Sequence, residues 1–448
     1  MAKKGKTERT DQFHSRMEQL LGASEARQLM DALQRISPKS VRYNRKQCPA
    51  GELKGPVVPW CNPYGRYWEE ELLPSRTLEY AVGCYYIQEA SAMLAVSAAS
   101  TVIDFSNKIV LDLTAAPGGK ATQVAEQINS GYLVANEVIK KRVHALTWNI
   151  LRHRIDNVIV TSLSTHILAG ALPGFFDIVV VDAPCSGEGL ITRQKLSLEK
   201  WSLKNVRFCA ARQSTILKDA AQLLRPGGFL VYATCTFAPE ENEEQVEKLL
   251  AEQFLPVSLP ESLPVSPAIS DNEKVMRCSR RIFPHREGGA GAFVSVLRKD
   301  ETSAAPALWT YTQGLARHPK LEKTQLPYFN AESGNGYYYE KGGVVSYFSH
   351  ERVPEFLLQN GYQLGVPVFH RHRPHECMFG SILAASPDAV AEVGEETASA
   401  YIRGEELKLD RADGWHIISF RGRLLGHVFV VGGRAVNKLP PPLRNRDL

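Results

Sequence analysis

Apolar residues recur at helical spacing from residue 11 to residue 36, placing Phe13, Met17, Leu20, Leu21, Leu29, Leu33 and Ile36 on one face. Ser37-Pro38 ends that pattern. SVRYNR follows as a short basic strand candidate, and GPVVPWCNPYGRYW after it is too rich in Pro, Gly and Trp for a regular element. GCYYIQEASAMLAVSAAS leads into a helix of small residues, and the first clear strand runs from Ile109 to Leu113. From there strands and helices alternate: YLVANE, a helix to about Arg154, NVIVTS, FDIVVVD, a long helix from Trp201 to Leu224, and GFLVYATC. Alternation of this kind predicts an α/β fold with a parallel, doubly wound sheet. RRIFPH and GAFVSVL, split by REGGA, read instead as a hairpin that closes the sheet with an antiparallel edge.

The pattern divides the chain. Residues 1–75 form a small basic domain, residues 76–300 the α/β domain, and residues 301–320 are polar and mixed, as a linker would be. In residues 321–448, VVSYF, PVFH, WHIISF and LLGHVFVV are short strands in a Gly/Pro-rich frame, a small β-rich module. No apolar run approaches the roughly 20 residues of a membrane span, and MAKKGKTERT lacks the apolar core of a signal peptide, so a cytoplasmic protein is expected.

Charge adds a partner to this picture. The net charge is only +5, yet residues 1–50 carry 11 Lys/Arg against 5 Asp/Glu, and residues 421–448 carry 6 against 1. Basic ends around a near-neutral middle suit a polyanion held at the flanks. Trp60, Tyr64, Tyr67 and Trp68, interleaved with arginines, either stack unpaired bases or pack a small core.

The turn Ala115-Ala116-Pro117-Gly118-Gly119-Lys120 follows a strand and opens a helix, which favours an anionic group at its amide N–H groups. It is neither a P-loop nor GxGxxG: Thr114 stands where the first glycine belongs, and Ala121 where a magnesium-ligating hydroxyl should be. One remaining candidate is S-adenosylmethionine, whose carboxylate the turn can meet while Glu137, ending YLVANE, takes the ribose hydroxyls.

FDIVVVDAPCSGEG holds an apolar run that stops at Asp182 and opens into a loop carrying Cys185. A thiol in that loop suits methylation at carbon: C5 of cytosine is a poor nucleophile until a thiolate adds at C6, with an acid near N3. A second thiol, Cys235, ends the next strand in YATCTFAPEENE. Neighbouring parallel strands lie about 4.8 Å apart, so Cys185 and Cys235 can share one pocket. Cys48, Cys61, Cys84, Cys209 and Cys278 read as small core residues. His370, His372, His375 and Cys377 imitate a metal site, but neither a zinc-finger spacing nor HExxH is present, so no metal is expected.

LDLTAAPGGK, VDAPCSGEG, the TC of YATCTFAPEENE and RRIFPHREGGAGAF together resemble the Sun (NOL/NOP/Sun) family of RNA cytosine-C5 methyltransferases over about residues 75–300. YYIQEAS and LLGHVFVVGGR are similar to the RsmF-type branch, bacterial ribosomal-RNA enzymes with a PUA-like C-terminal module. The resemblance implies a Rossmann-like class I methyltransferase fold, S-adenosylmethionine as donor, and a structured ribosomal RNA of the small subunit as substrate. It implies a monomer that acts on RNA and not DNA. It makes Cys235 the nucleophile, has Cys185 assist product release, sets Asp182 against the cytosine, and has Lys120 support the site. Residues 115–120, Glu137, Arg142, Ser164 and Asp182 form the donor site, with Ser164 standing where the family carries an Asp that holds the adenine amino group. Thr114 replaces the family's common Cys, and the tail lacks much of the branch's aromatic and Asn pattern. Transfer-RNA methylation, and a non-catalytic ribosome-assembly factor on the same scaffold, are the alternatives.

Overall fold

The structure is a computed structural model that describes residues 2–48, 50–191, 201–302, 309–315, 337–370, 373–374 and 390–448. Of the metal-like cluster, the side chain of His370 and all of His372, His375 and Cys377 lie outside the described residues.

Five parallel strands make the centre: β4 (Ile109–Asp112), β5 (Tyr132–Asn136), β6 (Val158–Thr161), β7 (Phe176–Asp182) and β8 (Leu224–Thr234). Their order is β8-β7-β4-β5-β6, all parallel. The chain builds outward from β4 to β6, then returns to the other side of β4, so the order reverses between β4 and β7. A crevice opens at such a reversal, outside the carboxyl ends of the strands. The predicted hairpin is β9 (Ser279–Ile282) and β10 (Ala292–Lys299), with β10 antiparallel to β8. The apolar residues of β4 to β8 are buried because helices cover both faces. Among them are α4 (Gly119–Ala125), α5 (Lys140–Arg152) and α7 (Leu203–Leu223), the last capped by Ser202, which accepts from the Asn205 N–H.

The N-terminal apolar stripe forms two helices, not one. Gly22, at φ 84°, breaks it into α1 (Ala2–Leu21) and α2 (Ala23–Leu33), a left-handed turn glycine adopts freely. The break redirects the chain, and Ile36, expected on the apolar face, is 91 % exposed. Phe13, Met17, Leu29 and Leu33 pack with Trp201, Phe237 and Phe283 of the α/β domain. A small sheet of β1 (Ser40–Tyr43), β2 (Gly65–Tyr67) and β3 (Tyr85–Ile87) follows, so its third strand lies beyond residue 75. The aromatics of this segment pack: Trp60 is buried with its indole N–H on the Ala90 carbonyl, and Tyr64, Tyr67 and Trp68 line the cores.

Residues 337–364 were expected within the C-terminal module, yet Gly361–Leu364 pairs antiparallel with β6 and extends the central sheet. An edge strand leaves a row of unpaired N–H and C=O groups, and this return of the chain covers it. The C-terminal sheet is built from Val390–Glu392, Gly414–Phe420, Arg423–Val431, Arg434–Asn437 and Leu407–Lys408. Its Ile418, Leu425 and Val428, with Tyr401 of the helix Glu395–Arg403, share a core with Val41, Tyr43, Leu78 and Tyr85.

Arg42, in the basic strand candidate, is only 2 % exposed. Its guanidinium donates to Glu126 Oε2 (2.6 Å), Thr122 Oγ1 (2.7 Å) and Gln88 Oε1 (2.9 Å). His153 Nδ1 stands 3.6 Å from Glu126 Oε1. Burial opposes the Glu126 charge, but Arg42 overrides it and holds the carboxyl below its ordinary range, whereas burial depresses His153. Removing one partner of a fully buried pair leaves a naked charge, so Arg42→Met is expected to lower stability by about 3–5 kcal/mol in urea denaturation. Arg42→Met with Glu126→Leu should recover most of that loss; equal losses in single and double variants would show that packing, not charge, sets the cost.

Candidate active site

Asp182 ends β7 and Cys235 follows β8, and the register sets Asp182 beside Ala233. The Ala183 N–H bonds the Ala233 carbonyl at 2.9 Å, so the loops leave the sheet side by side. Cys185 Sγ and Cys235 Sγ come within 3.1 Å. The Gly189 N–H then donates to the Cys235 carbonyl at 2.9 Å, and Gly189 passes so close to Gly291 that an added Cβ would lie 2.6 Å from the Gly291 Cα. The glycines of DAPCSGEG and REGGAGAF meet there, which is why neither position has room for a side chain.

Lys120 reaches from the start of α4 to Asp182 Oδ2 at 2.8 Å, and Thr114 Oγ1 donates to the Asp182 carbonyl at 2.9 Å. Burial pulls Lys120 down, yet the charge and hydrogen bond of Asp182 outweigh it and raise the ammonium above its ordinary value. The hydrogen bond to Cys235, then burial, then the Cys235 charge push Cys185 well above the ordinary range, so Cys185 stays a thiol at neutral pH. Cys48, Cys61, Cys84 and Cys278 are buried, and Cys209 lies half-buried on α7.

Across the crevice, the turn 115–120 is held by its carbonyls: Arg142 Nη2 donates to Ala116 O (2.5 Å) and Asn149 Nδ2 to Pro117 O (2.8 Å). Gly118 adopts φ 118°, open to glycine alone among common residues, with Leu146 and Asn149 against it. Glu137 Oε1 accepts the Ile139 N–H at 2.9 Å, while Arg142 Nη1 stands 3.0 Å from Oε2, an ion-pair distance without hydrogen-bond alignment. Arg142 thus ties the turn to Glu137. Ser164 caps the helix Thr165–Ala171 by accepting the Ile167 N–H at 3.3 Å. Among the described residues, Asp112 Oδ2, at the end of β4, is buried with no hydrogen-bond partner.

Sequence reasoning missed three acids here. Asp112, ending β4, is raised to about 7, by burial and then by the charge of Asp182. Glu188 and Glu241 lie buried behind the two thiols, and Glu241 is raised to about 7, chiefly by burial. All three stand inside motifs read for their glycines, prolines and cysteines, and no periodicity separates a buried acid there from a solvated one. The unbroken apolar run ending at Asp112 was the available signal, since an acid closing a buried strand cannot face open water on both sides.

A family described as 16S rRNA methyltransferase RsmB/F matches residues 101–298. The N-terminal domain of 16S rRNA methyltransferase RsmF matches residues 10–90, and the methyltransferase RsmF PUA domain residues 389–445. The ribosomal RNA small subunit methyltransferase F of Klebsiella pneumoniae is 31% identical over 444 residues, covering 92% of this chain and 91% of that one. That of Citrobacter koseri is 32% identical, covering 86% and 84%. Among solved structures, a methyltransferase homolog protein from Pyrococcus horikoshii superposes at TM-score 0.56 with 29% identity, covering 64% of this chain and 93% of that one. NSun6 from Pyrococcus horikoshii superposes at TM-score 0.54 with 21% identity over 64% and 97%, a likeness of fold.

Asp112 and Glu241 retain protons to about 7, far above the value of a carboxyl in an unfolded chain. Between about pH 4 and 7 the folded state therefore binds protons that the unfolded state has released, and their contribution to stability falls as pH rises through that window. Urea denaturation across pH 5 to 8 should show this decline shallower in Asp112→Asn than in the unaltered chain; parallel curves would remove the Asp112 assignment.

Proposed function

This chain belongs to the ribosomal RNA small subunit methyltransferase F family, and we propose that it methylates C5 of a cytosine in 16S ribosomal RNA through a covalent cysteine adduct, with S-adenosylmethionine as the methyl donor. The observation that carries this reading is the thiol pair, 3.1 Å apart at two adjacent strand ends, beside the Lys120–Asp182 ion pair.

The residues fit the donor. Asp112 Oδ2 offers an unused acceptor for its ammonium, Gly118 leaves the turn without a side chain, and Glu137 stands ready for the ribose hydroxyls. S-adenosylmethionine supplies an electrophilic methyl group; the protein must supply a nucleophilic carbon. Cys235 does so by adding its sulfur to C6, which moves the C5=C6 electron pair onto C5. Cys185, held as a thiol by its neighbour, does not compete for that attack. Asp182 meets the N3 and amino edge of the base, and Lys120, hydrogen-bonded to it, offsets negative charge that builds on the ring. After methylation the C5 proton leaves to a base, its bond electrons re-form C5=C6, and the C6–sulfur bond breaks to return the Cys235 thiolate. Cys185 assists that last step. The base must be taken out of its stack to enter the crevice.

The 1–75 and 321–448 segments are the proposed RNA-holding flanks of a monomeric enzyme, located in the cytoplasm where ribosomes form. Part of their charge serves structure: Arg42 is buried, and Arg16, Arg423 and Arg434 pair with Glu240, Glu52 and Glu406. Lys39, Arg444 and Arg446, absent from such ion pairs among the described residues, are the better candidates for phosphate contact.

Cys235→Ala is expected to abolish methylation and to form no adduct, whereas Cys185→Ala should attack, methylate and stall, leaving protein attached to RNA on a denaturing gel. The opposite pattern reverses the two roles, and no adduct or methyl transfer by the unaltered chain favours the assembly-factor reading. Glu137→Ala should weaken S-adenosylmethionine binding by about 1.5–3 kcal/mol, the loss of a charge-assisted hydrogen bond; unchanged affinity by calorimetry removes Glu137 from the donor site.

A further inference from the structure

The loops that carry the two thiols exchange carboxylates. Glu188, from the Cys185 loop, accepts hydrogen bonds from Thr236 Oγ1 and the Phe237 N–H, both at 2.9 Å and both just beyond Cys235. Glu241, from the Cys235 loop, accepts the Ser186 N–H at 3.0 Å, just beyond Cys185. Ser186 Oγ and Thr236 Oγ1 close the space between them at 2.8 Å. Gln213 Nε2 on α7 donates to both Glu241 Oε2 (2.9 Å) and the Pro184 carbonyl (3.1 Å), gripping Cys185 from its other side. Trp201 Nε1 donates to Glu188 Oε1 at 2.7 Å, and Phe13 of α1 packs edge-on against that indole.

Glu188 and Glu241 are 1 % and 0 % exposed, and among the described residues neither has a cation within ion-pair distance. Burying an unpaired carboxylate is costly, and a glutamine would present the same acceptor oxygen to Ser186. Glu241 Oε1, moreover, is buried with no partner at all. A scaffold role alone does not account for an acid at this position.

We propose that Glu241 is a positioning residue for release of the methylated product, acting through Cys185 by fixing the 184–186 segment against the nucleophile's loop. This rests on the reading in which Cys235 attacks and Cys185 serves release. While Cys235 is free, its charge and that of Glu241 both oppose ionisation of Cys185. Bonding of Cys235 to C6 makes that sulfur a neutral thioether, and Glu241 becomes the charge that governs Cys185. Glu188, Cys185, Cys209 and Tyr232 are the titratable groups that face Glu241, from both loops, α7 and β8, with Arg16 the cation felt by Glu188. Glu241 itself titrates at about 7, inside the working range of such an enzyme.

The test uses the full chain with transcribed 16S ribosomal RNA and S-adenosylmethionine, following methyl transfer and adduct lifetime from pH 5.5 to 8.5 for the unaltered chain, Cys185→Ala, Glu241→Ala and Glu241→Gln. Misplacement of a reacting group by about 1 Å costs on the order of 100-fold. Glu241→Ala should therefore lower kcat by about 10- to 100-fold and accumulate adduct, with KM for both substrates unchanged. Glu241→Gln, which keeps the acceptor, should restore most of the rate but lose the inflection in adduct lifetime near pH 7. Turnover, adduct lifetime and pH profile unchanged in both Glu241 variants, while Cys185→Ala still traps adduct, would overturn the proposal alone. Absence of trapping in Cys185→Ala would overturn the release reading and this proposal with it. If Glu241→Ala fails to fold, the pH profile of Glu241→Gln decides.

Discussion

The parallel register of β7 against β8, with Asp182 level with Ala233, is the constraint on which the chemistry depends. Two strands in that register must release their loops into the same few ångströms of space, and every contact of the thiol pair follows from it. The loops then have no freedom to drift apart, because Gly189 bonds the Cys235 carbonyl on one side and approaches Gly291 on the other. A parallel pair in a sheet covered on both faces is rigid to within packing tolerances, and it holds the two sulfurs at a fixed separation.

That rigidity is extended outward. The N-terminal helices do not hang from the domain as an arm: Phe13 lies on Trp201, whose indole N–H holds Glu188, and Phe237, next but one after Cys235, stacks on Phe283. Arg281 is buried bidentately against Glu243 and reaches the Phe237 carbonyl, tying the RRIFPH strand to the same loop. On the opposite side, Arg42 joins the small N-terminal sheet to α4 and Glu126. The N-terminal segment therefore braces the crevice, and a basic residue in it can serve the fold as well as a ligand. Burial and a carboxylate partner separate the two.

The buried carboxyls follow one rule. Carboxyls that meet a cation, such as Glu126 against Arg42, are held ionised, while those buried without one, Asp112 and Glu241, keep their protons toward neutral pH. The contact with Cys235 and burial act in the same direction on Cys185, whose thiol is pushed well above its ordinary range.

The alternation of apolar strands and helices, the turn at residues 114–120, and the placing of Asp182, Cys185 and Cys235 at strand ends were legible in the sequence because each rests on a short window of chain. Periodicity and strand-to-loop transitions are local, whereas the order of the strands was supplied by the structure. What needed the tertiary structure involved partners far along the chain. Gly22 breaks an apolar stripe that reads as continuous, because a turn there lets two short helices reach the same aromatic core. Arg42 looks like an RNA contact until Glu126 is seen against it. Gly361–Leu364 looks like part of a C-terminal module until β6 presents an open edge two hundred residues earlier. Glu188 and Glu241 look like solvated acids until two loops close over them. Burial and the sign of the nearest charge are set by residues remote in sequence, and those two quantities decide whether an ionisable side chain braces the fold, binds a ligand or takes part in the reaction.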